Sequence, residues 1–309
     1  MQFQYLCAQF YQRYNTYMSG QLKEVSNRIK SVTSTQQITK AMKMVSAAKL
    51  RRAQDSIQQM RPYAQKLQEM LSNIVSSSSD IEMALAAERP AEKILLIPVT
   101  SDRGLCGAYN TNIIKTTRKL ATEKYAAQLQ KGNVTIMPIG KKGYEYFLRH
   151  GYKVINNFWA TFSDLSFENV RAAAIYAQEA FLNKEYDRVE LIYSQFKNAA
   201  TQVIVSEPYL PIPKVEKTEG SKSIDFIYEP SQETLVRELM PKILNTQVYK
   251  AVLDANASEH GARMTAMDKA SENANEILRN LKISYNRARQ AAITTELTEI
   301  VSGAAALQG

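Results

Sequence analysis

From Ala257 to Ala306 the chain contains no proline, and only Gly261 and Gly303 interrupt it. Apolar or small residues recur at Met264, Met267, Ser271, Ala274, Leu278, Leu281, Tyr285, Ala288 and Ala292. The steps alternate three and four, which holds one narrow seam on one side of a helix. Helix formers fill most other positions. A helix of this length runs about 75 Å, at 1.5 Å per residue. That is longer than a domain of this size needs for its own core, so the helix either spans something or passes through something.

A second rod precedes it. Residues 21–76 contain no glycine, and Pro62 is their only proline. The seam is clear early, at Leu22, Val25, Ile29 and Val32, and late, at Ile57, Met60, Ala64, Leu67, Leu71 and Ile74. Between them Ile38, Met42 and Val45 carry the apolar side, and polar Gln36 and Thr39 stand where the first seam would continue. This pattern predicts a stutter, a local change of supercoil. The rod is roughly 80 Å long, with a bend expected at Pro62. Its middle holds Lys40, Lys43, Lys49, Arg51 and Arg52, with no acid until Asp55. Such a run is either a solvated face or a basic collar facing an acidic partner. Met42 and Met44 read as packing residues, and methionine suits a surface that re-packs against changing neighbours.

Between the rods the texture changes. Residues 79–92 read as a linker. Ile94–Val99, Val134–Ile139, Val189–Tyr193, Val203–Val205 and Ile224–Tyr228 read as strands. Residues 109–130, 141–150 and 168–183 read as helices. Strands alternating with helices predict an α/β domain over 93–229 with a mainly parallel sheet; strands 189–193 and 203–205 are close enough to pair as a hairpin. Helix resumes at Ser231, a predicted N-cap, is kinked or restarted at Pro241, and from Ile243 runs to about Leu307, roughly 95 Å. The fold class is therefore α/β plus a long antiparallel coiled coil: N- and C-terminal helices (21–78 and 230–309) flank an inserted, Rossmann-like α/β domain. The longer second rod is expected to project beyond the first.

Composition narrows the function. The 309-residue chain has a net charge of +9, which suits anionic partners or simple solubility. Two cysteines, Cys7 and Cys106, lack a metal-site spacing and fit a reducing compartment; two histidines do not make a histidine-rich metal centre. No apolar run is long enough to span a bilayer. Residues 1–17 match neither a secretory signal nor a mitochondrial presequence, and Met18 is the expected translation start, with 1–20 an extension. Gly104 and Gly107 follow a strand and precede a helix, the geometry of a phosphate loop, but their spacing is neither G-x-G-x-x-G nor G-x-x-x-x-G-K-[ST]. Asp102 and Arg103 read as pairing or partner-contact residues, Cys106 shows no activating neighbour, and His260 reads as a packed or surface histidine. No catalytic triad, carboxylate pair or cofactor motif stands out. Two other classes remain: a basic nucleic-acid-binding coiled coil, whose binding would collapse with salt, and a nucleotide-dependent enzyme on residues 93–228.

Four stretches resemble one family. Ile38–Arg52 (ITKAMKMVSAAKLRR) and Ala257–Leu307 resemble the terminal helices of the gamma subunit of F-type ATP synthase, bacterial type; Ser101–Gly107 (SDRGLCG) and Glu207–Ile212 (EPYLPI) also fit. The resemblance implies a non-catalytic rotor shaft with no cofactor, present in one copy inside a ring of three alpha and three beta subunits. Its globular part would dock on the epsilon subunit and the membrane c-ring, placing it peripherally at the cytoplasmic side of the inner membrane, with no nucleic acid bound. It also implies that Met42, Lys43, Arg289, Gln290 and Thr294 contact a beta subunit, and that Ala304, Ala305, Ala306 and Leu307 sit in an apolar bearing.

Overall fold

The computed structural model describes residues 2–77, 84–199, 201–212 and 232–308. Helix α1 (Gln2–Ser77) begins the chain and α6 (Gln232–Gln308) ends it. Between them lie β1 (Ile94–Pro98), α2 (Tyr109–Lys119), a π-helical turn (Leu120–Lys124), α3 (Ala126–Gln130), β2 (Val134–Ile136) and α4 (Lys141–Arg149). Then follow β3 (Lys153–Val154), α5 (Phe167–Leu182), β4 (Arg188–Phe196) and β5 (Gln202–Leu210). The chain forms two compact units: residues 45–266, and the segments up to residue 44 and from 267.

The first unit is built on a five-stranded sheet of order β3-β2-β1-β4-β5. β1 pairs in parallel with β2 and β4, β2 with β3, and the β4–β5 hairpin is antiparallel. Central β1 is buried on both faces, which is why it reads as a continuous apolar run. Its side chains alternate. Leu95, Ile97 and Val99 join the core beneath α5 and α6, while Ile94 and Leu96 join the core beneath α2 and α4. On α5, Val170, Ala173, Ala174, Ala177 and Ala180 make a small-residue face that lets the helix approach the sheet closely.

Two expectations change here. β3 is only two residues long, too short to show a period, and was not foreseen. The expected strand 224–228 and the Ser231 cap lie outside the described residues. The division at 92 and 230 also differs from the packing. Met240, Leu244, Val248, Ala251, Val252 and Ala255 of α6 belong to the sheet's core, and Leu50, Ala53 and Ile57 of α1 pack with Phe196, Leu253 and Ala257. The sheet needs a second covering layer on that face, and the first half of α6 supplies it. Pro241 lies within α6 rather than at a break.

The second unit pairs α1 with α6. Thr39 Oγ1 lies 2.8 Å from Ser271 Oγ, Lys43 forms a salt bridge with Asp268, and Gln36 donates to the Asn275 side-chain oxygen. As numbers rise on α1 they fall on α6, so the helices are antiparallel. On α6 the seam is as expected: Met267, Ala274 and Leu278 are buried, and Ser271, Leu281, Tyr285, Ala288 and Ala292 are half-buried. On α1 the expected stutter is absent. Gln36, Thr39, Lys43 and Ser46 continue the Leu22–Val32 repeat without a phase change, while Ile38 and Val45 are 59% and 57% exposed. Polar groups can occupy a seam when the facing helix offers polar partners, and here Asn275, Ser271 and Asp268 do. α1 extends back to Gln2, so Met18 is not a helix boundary. The expectation that α6 projects beyond its partner falls on residues 2–21, whose side chains lie outside the description.

Among the glycines, backbone constraint is greatest at Gly140. Gly140 has φ +106°, and a Cβ there would sit 2.1 Å from the Thr100 carbonyl oxygen. Gly151 also has positive φ, +75°, but open space around it. Gly140→Ala should therefore destabilise the chain by at least about 2 kcal/mol more than Gly151→Ala. Urea denaturation of both variants measures the difference; equal losses would contradict it.

Candidate functional site

The residues singled out in the sequence fall in two places on the helix pair. Met42 and Lys43 are half-buried on α1, with Lys43 bonded to Asp268. Arg289, Gln290 and Thr294 are exposed on α6. They begin 21 positions beyond Asp268, roughly 32 Å along a helix, so the two groups form separate surfaces. The Thr294 hydroxyl donates to the Gln290 carbonyl at 2.9 Å, and Thr298 and Thr295 close on their own helix likewise. That leaves Arg289 and the Gln290 amide as the polar groups projecting outward. Ala304 and Ala305 are exposed; the side chains of Ala306 and Leu307 lie outside the description.

The sequence reading missed an apolar face. Ile293, Leu297 and Ile300 are exposed at steps of four and three, leading to Ala304, and Val301 beside them is 67% exposed. Ile38 and Met44 on α1 are similarly open. A run of large exposed aliphatics marks a surface that another chain covers. The signal was present: once Ala292, Thr295 and Glu299 are taken as the seam, these residues cannot also face inward.

In the sheet-containing unit, loop 101–107 is held as a plug. Ser101 N and Oγ both donate to Asn110 Oδ1, at 2.9 and 3.1 Å, and Asp102 Oδ1 accepts the Lys141 amide at 3.0 Å. Arg263 donates to the carbonyl oxygens of Arg103 and Gly104 at 3.0 and 3.2 Å and is paired with Glu259. The loop's carbonyls, rather than its amides, are thus turned toward α6, the wrong polarity there for cradling a phosphate. Cys106 is buried, and desolvation pushes its thiol pKa up, opposite to what a nucleophile needs. Among the described residues no group of three or more His, Cys, Asp or Glu side chains is placed to hold a metal ion.

The family described as ATP synthase matches residues 21–307. The ATP synthase gamma chain of Cytophaga hutchinsonii is 54% identical over 291 residues, 93% of this chain and 98% of that one. That of Chlorobium phaeobacteroides is 51% identical over 93% of this chain and 99% of its own. The chain belongs to the ATP synthase gamma-chain family. Among solved structures, the central stalk and c-ring of Tetrahymena thermophila mitochondrial ATP synthase offers a chain 28% identical, TM-score 0.54, covering 76% of this chain and 99% of that one. A chain of the Euglena gracilis mitochondrial ATP synthase, 21% identical with TM-score 0.64 over 94% of this chain and 95% of its own, shares the fold. Gamma chains are rotor subunits; the catalytic sites lie on the beta subunits.

In this member of the gamma-chain family, Asp254 and His260 are buried on α6 with opposite effects, beside Glu259, whose pKa burial also raises. Burial raises the Asp254 pKa from 3.8 to about 6, against the opposing pull of Lys250 and Arg61. Burial, with help from Arg263 and Lys49, lowers the His260 pKa from 6.5 to about 4. An acid whose pKa is higher folded than unfolded contributes stability that is complete below 3.8 and lost as pH rises through about 6. A base whose pKa is lower folded contributes stability that is complete above 6.5 and lost as pH falls toward 4. The two slopes oppose each other across nearly the same window. Asp254→Asn should raise stability at pH 8 by about 2–3 kcal/mol, have little effect below pH ~4, and leave a steeper acid-side decline. Chemical denaturation across pH checks this; a gain independent of pH would contradict it.

Proposed function

We infer that this chain is the central rotor shaft of an F-type ATP synthase, coupling ion-driven rotation of a membrane ring to conformational change at catalytic sites on beta subunits. The observation that carries the reading, beside family membership, is the helix pair. Its seam is satisfied internally, yet its outer faces expose Ile38, Met44, Ile293, Leu297 and Ile300. Such a pair is finished as a rod and unfinished as a surface. A ring of three alpha and three beta subunits supplies what covers it. The mechanism follows from symmetry: an asymmetric shaft in a pseudo-threefold ring meets each catalytic site differently. Each orientation therefore favours a different conformation at each site, and the coupling is that difference in contact free energy. Torque needs a shaft whose helices do not slip, and the Gln36–Asn275 and Thr39–Ser271 bonds resist a change of register.

In this reading Met42 and Lys43 on α1, and Arg289, Gln290 and Thr294 on α6, face beta subunits. Ala304, Ala305, Ala306 and Leu307 turn in an apolar bearing where small side chains permit motion. The sheet-containing unit docks on the epsilon subunit and the c-ring. No described helix is long and apolar enough to cross a membrane, consistent with a peripheral subunit held on the cytoplasmic side of the inner membrane by its partners. The coupling ion is chosen in the membrane ring.

Pull-down of the tagged chain should recover alpha, beta and epsilon subunits and resist moderate salt; recovery of nucleic acid that vanishes with salt would overturn the reading. Met42→Lys should preserve assembly but weaken coupling, because a fixed cation beside Lys43 would hold an acidic partner in one orientation. Unchanged proton pumping per ATP hydrolysed in vesicles would contradict it. Arg289→Ala combined with Gln290→Ala should cut ATPase turnover roughly tenfold or more, the effect of losing about 1.4 kcal/mol at the rotating contact, with assembly largely intact. Turnover within twofold of the parent would remove these residues from the contact.

A further inference from the structure

Three cross-helix contacts fix the register of α1 against α6: Gln36 with Asn275, Thr39 with Ser271 and Lys43 with Asp268. A step toward lower numbers on α1 matches an equal step toward higher numbers on α6. Leu22, Val25, Ile29 and Val32 follow the alternation of three and four. Carried back by the same alternation, the register sets Met18 opposite Ala292, Asn15 opposite Thr295 and Tyr11 opposite Glu299. α1 is helical from Gln2, and residues 1–44 form one compact unit with residues 267–309. The family match begins only at residue 21, so the segment before it lies outside the part of the chain shared with the family.

The far end of α6 carries the mark of a cover. Thr295 is half-buried, whereas Thr294 and Thr298 are exposed; Glu299 is half-buried, whereas Glu296 is exposed. The same residue types on one helix differ by position, and the shielded positions continue the seam from Ala288 and Ala292. A helix standing alone would have no shielded side. Residues 2–19 contain neither proline nor glycine, but Gly20 joins them to the rest of α1. Glycine weakens a helix at that joint, and a helix in a protein is held mostly by packing rather than by propensity.

We propose that residues 2–18 form the second strand of the shaft's tip, pairing with α6 from Ala292 to at least Glu299 and making a two-helix rod where the family-matched chain alone would leave one helix. The outward line Ile293, Leu297 and Ile300 is then presented on a paired rod, which bends less than a lone helix. The proposal rests on the register and burial of the helix pair and not on the rotor reading.

Hydrogen exchange of the full chain is compared with that of a chain starting at Met18. Removing residues 1–17 should speed exchange of the amides at 293–300 by about tenfold or more, and leave those at 271–281 nearly unchanged. A cysteine pair tests the register itself. In a Cys7→Ser background, Tyr11→Cys with Glu299→Cys should form an intrachain disulfide under mild oxidation. Arg13→Cys with Glu299→Cys should not, because the heptad places position 13 on the far side of α1. Equal exchange at 293–300 in the two chains overturns the proposal, and so does cross-linking that is absent at 11 and 299 or equal for both pairs. A natural protein whose intact mass shows it to begin at Met18 or Ser19 overturns it as well.

Discussion

Thr39 and Ser271 meet through their hydroxyls, 2.8 Å apart, at a place where a two-helix seam would ordinarily bury aliphatic side chains. With Gln36–Asn275 and Lys43–Asp268 they form a polar interval in an otherwise apolar heptad pattern. An apolar seam stabilises a pair but tolerates sliding by a heptad, since one leucine replaces another. Slipping would separate Thr39 from Ser271 and Gln36 from Asn275, although each hydroxyl also reaches a carbonyl of its own helix, at Gln36 and Met267. The interval therefore contributes little to stability and much to alignment. Everything on the outside of the pair inherits its position from that alignment: the height of Met42, the azimuth of Arg289, and the line of Ile293, Leu297 and Ile300.

The same helices do different physical work in the other unit. Positions 240–255 of α6 cover one face of the sheet, with Met240, Leu244, Val248 and Val252 in the core. This explains why α6 shows no single amphipathic pattern over its length. Its early turns face a flat sheet and need a broad apolar face, and its later turns face one helix and need only a stripe. Glu259 and Arg263 lie near the end of the first regime, where the helix meets the 103–104 carbonyls instead of strands.

Much of this was legible in the sequence. The seam on α6 from Met267 to Ala292 was read correctly because its residues are apolar or small. The β4–β5 hairpin followed from spacing, and the buried β1 from its aliphatic run. The errors on the helix pair share one reason: hydrophobicity was taken as a proxy for facing inward. Ile38 and Val45 are apolar and face outward, 59% and 57% exposed. Gln36 and Thr39 are polar and face inward because their partners are on α6. The exposed Ile293–Ile300 line was missed on the same ground. The family resemblance pointed to Arg289 and Gln290 but not to the aliphatic residues beside them, which follow only when the seam is continued through polar Thr295 and Glu299. A two-residue strand such as β3 carries no period to read.

The regular alternation of three and four on both helices has a mechanical corollary. A 3.5-residue repeat carried by helices with 3.6 residues per turn coils the pair left-handed. A left-handed two-strand rope is not indifferent to the sense in which it is twisted. Torque of one sense tightens the wrap and presses the seam together; torque of the other sense opens it. The pair is thus a torsion spring whose stiffness depends on the direction of loading, and the polar interval sits where such a spring would otherwise be free to creep.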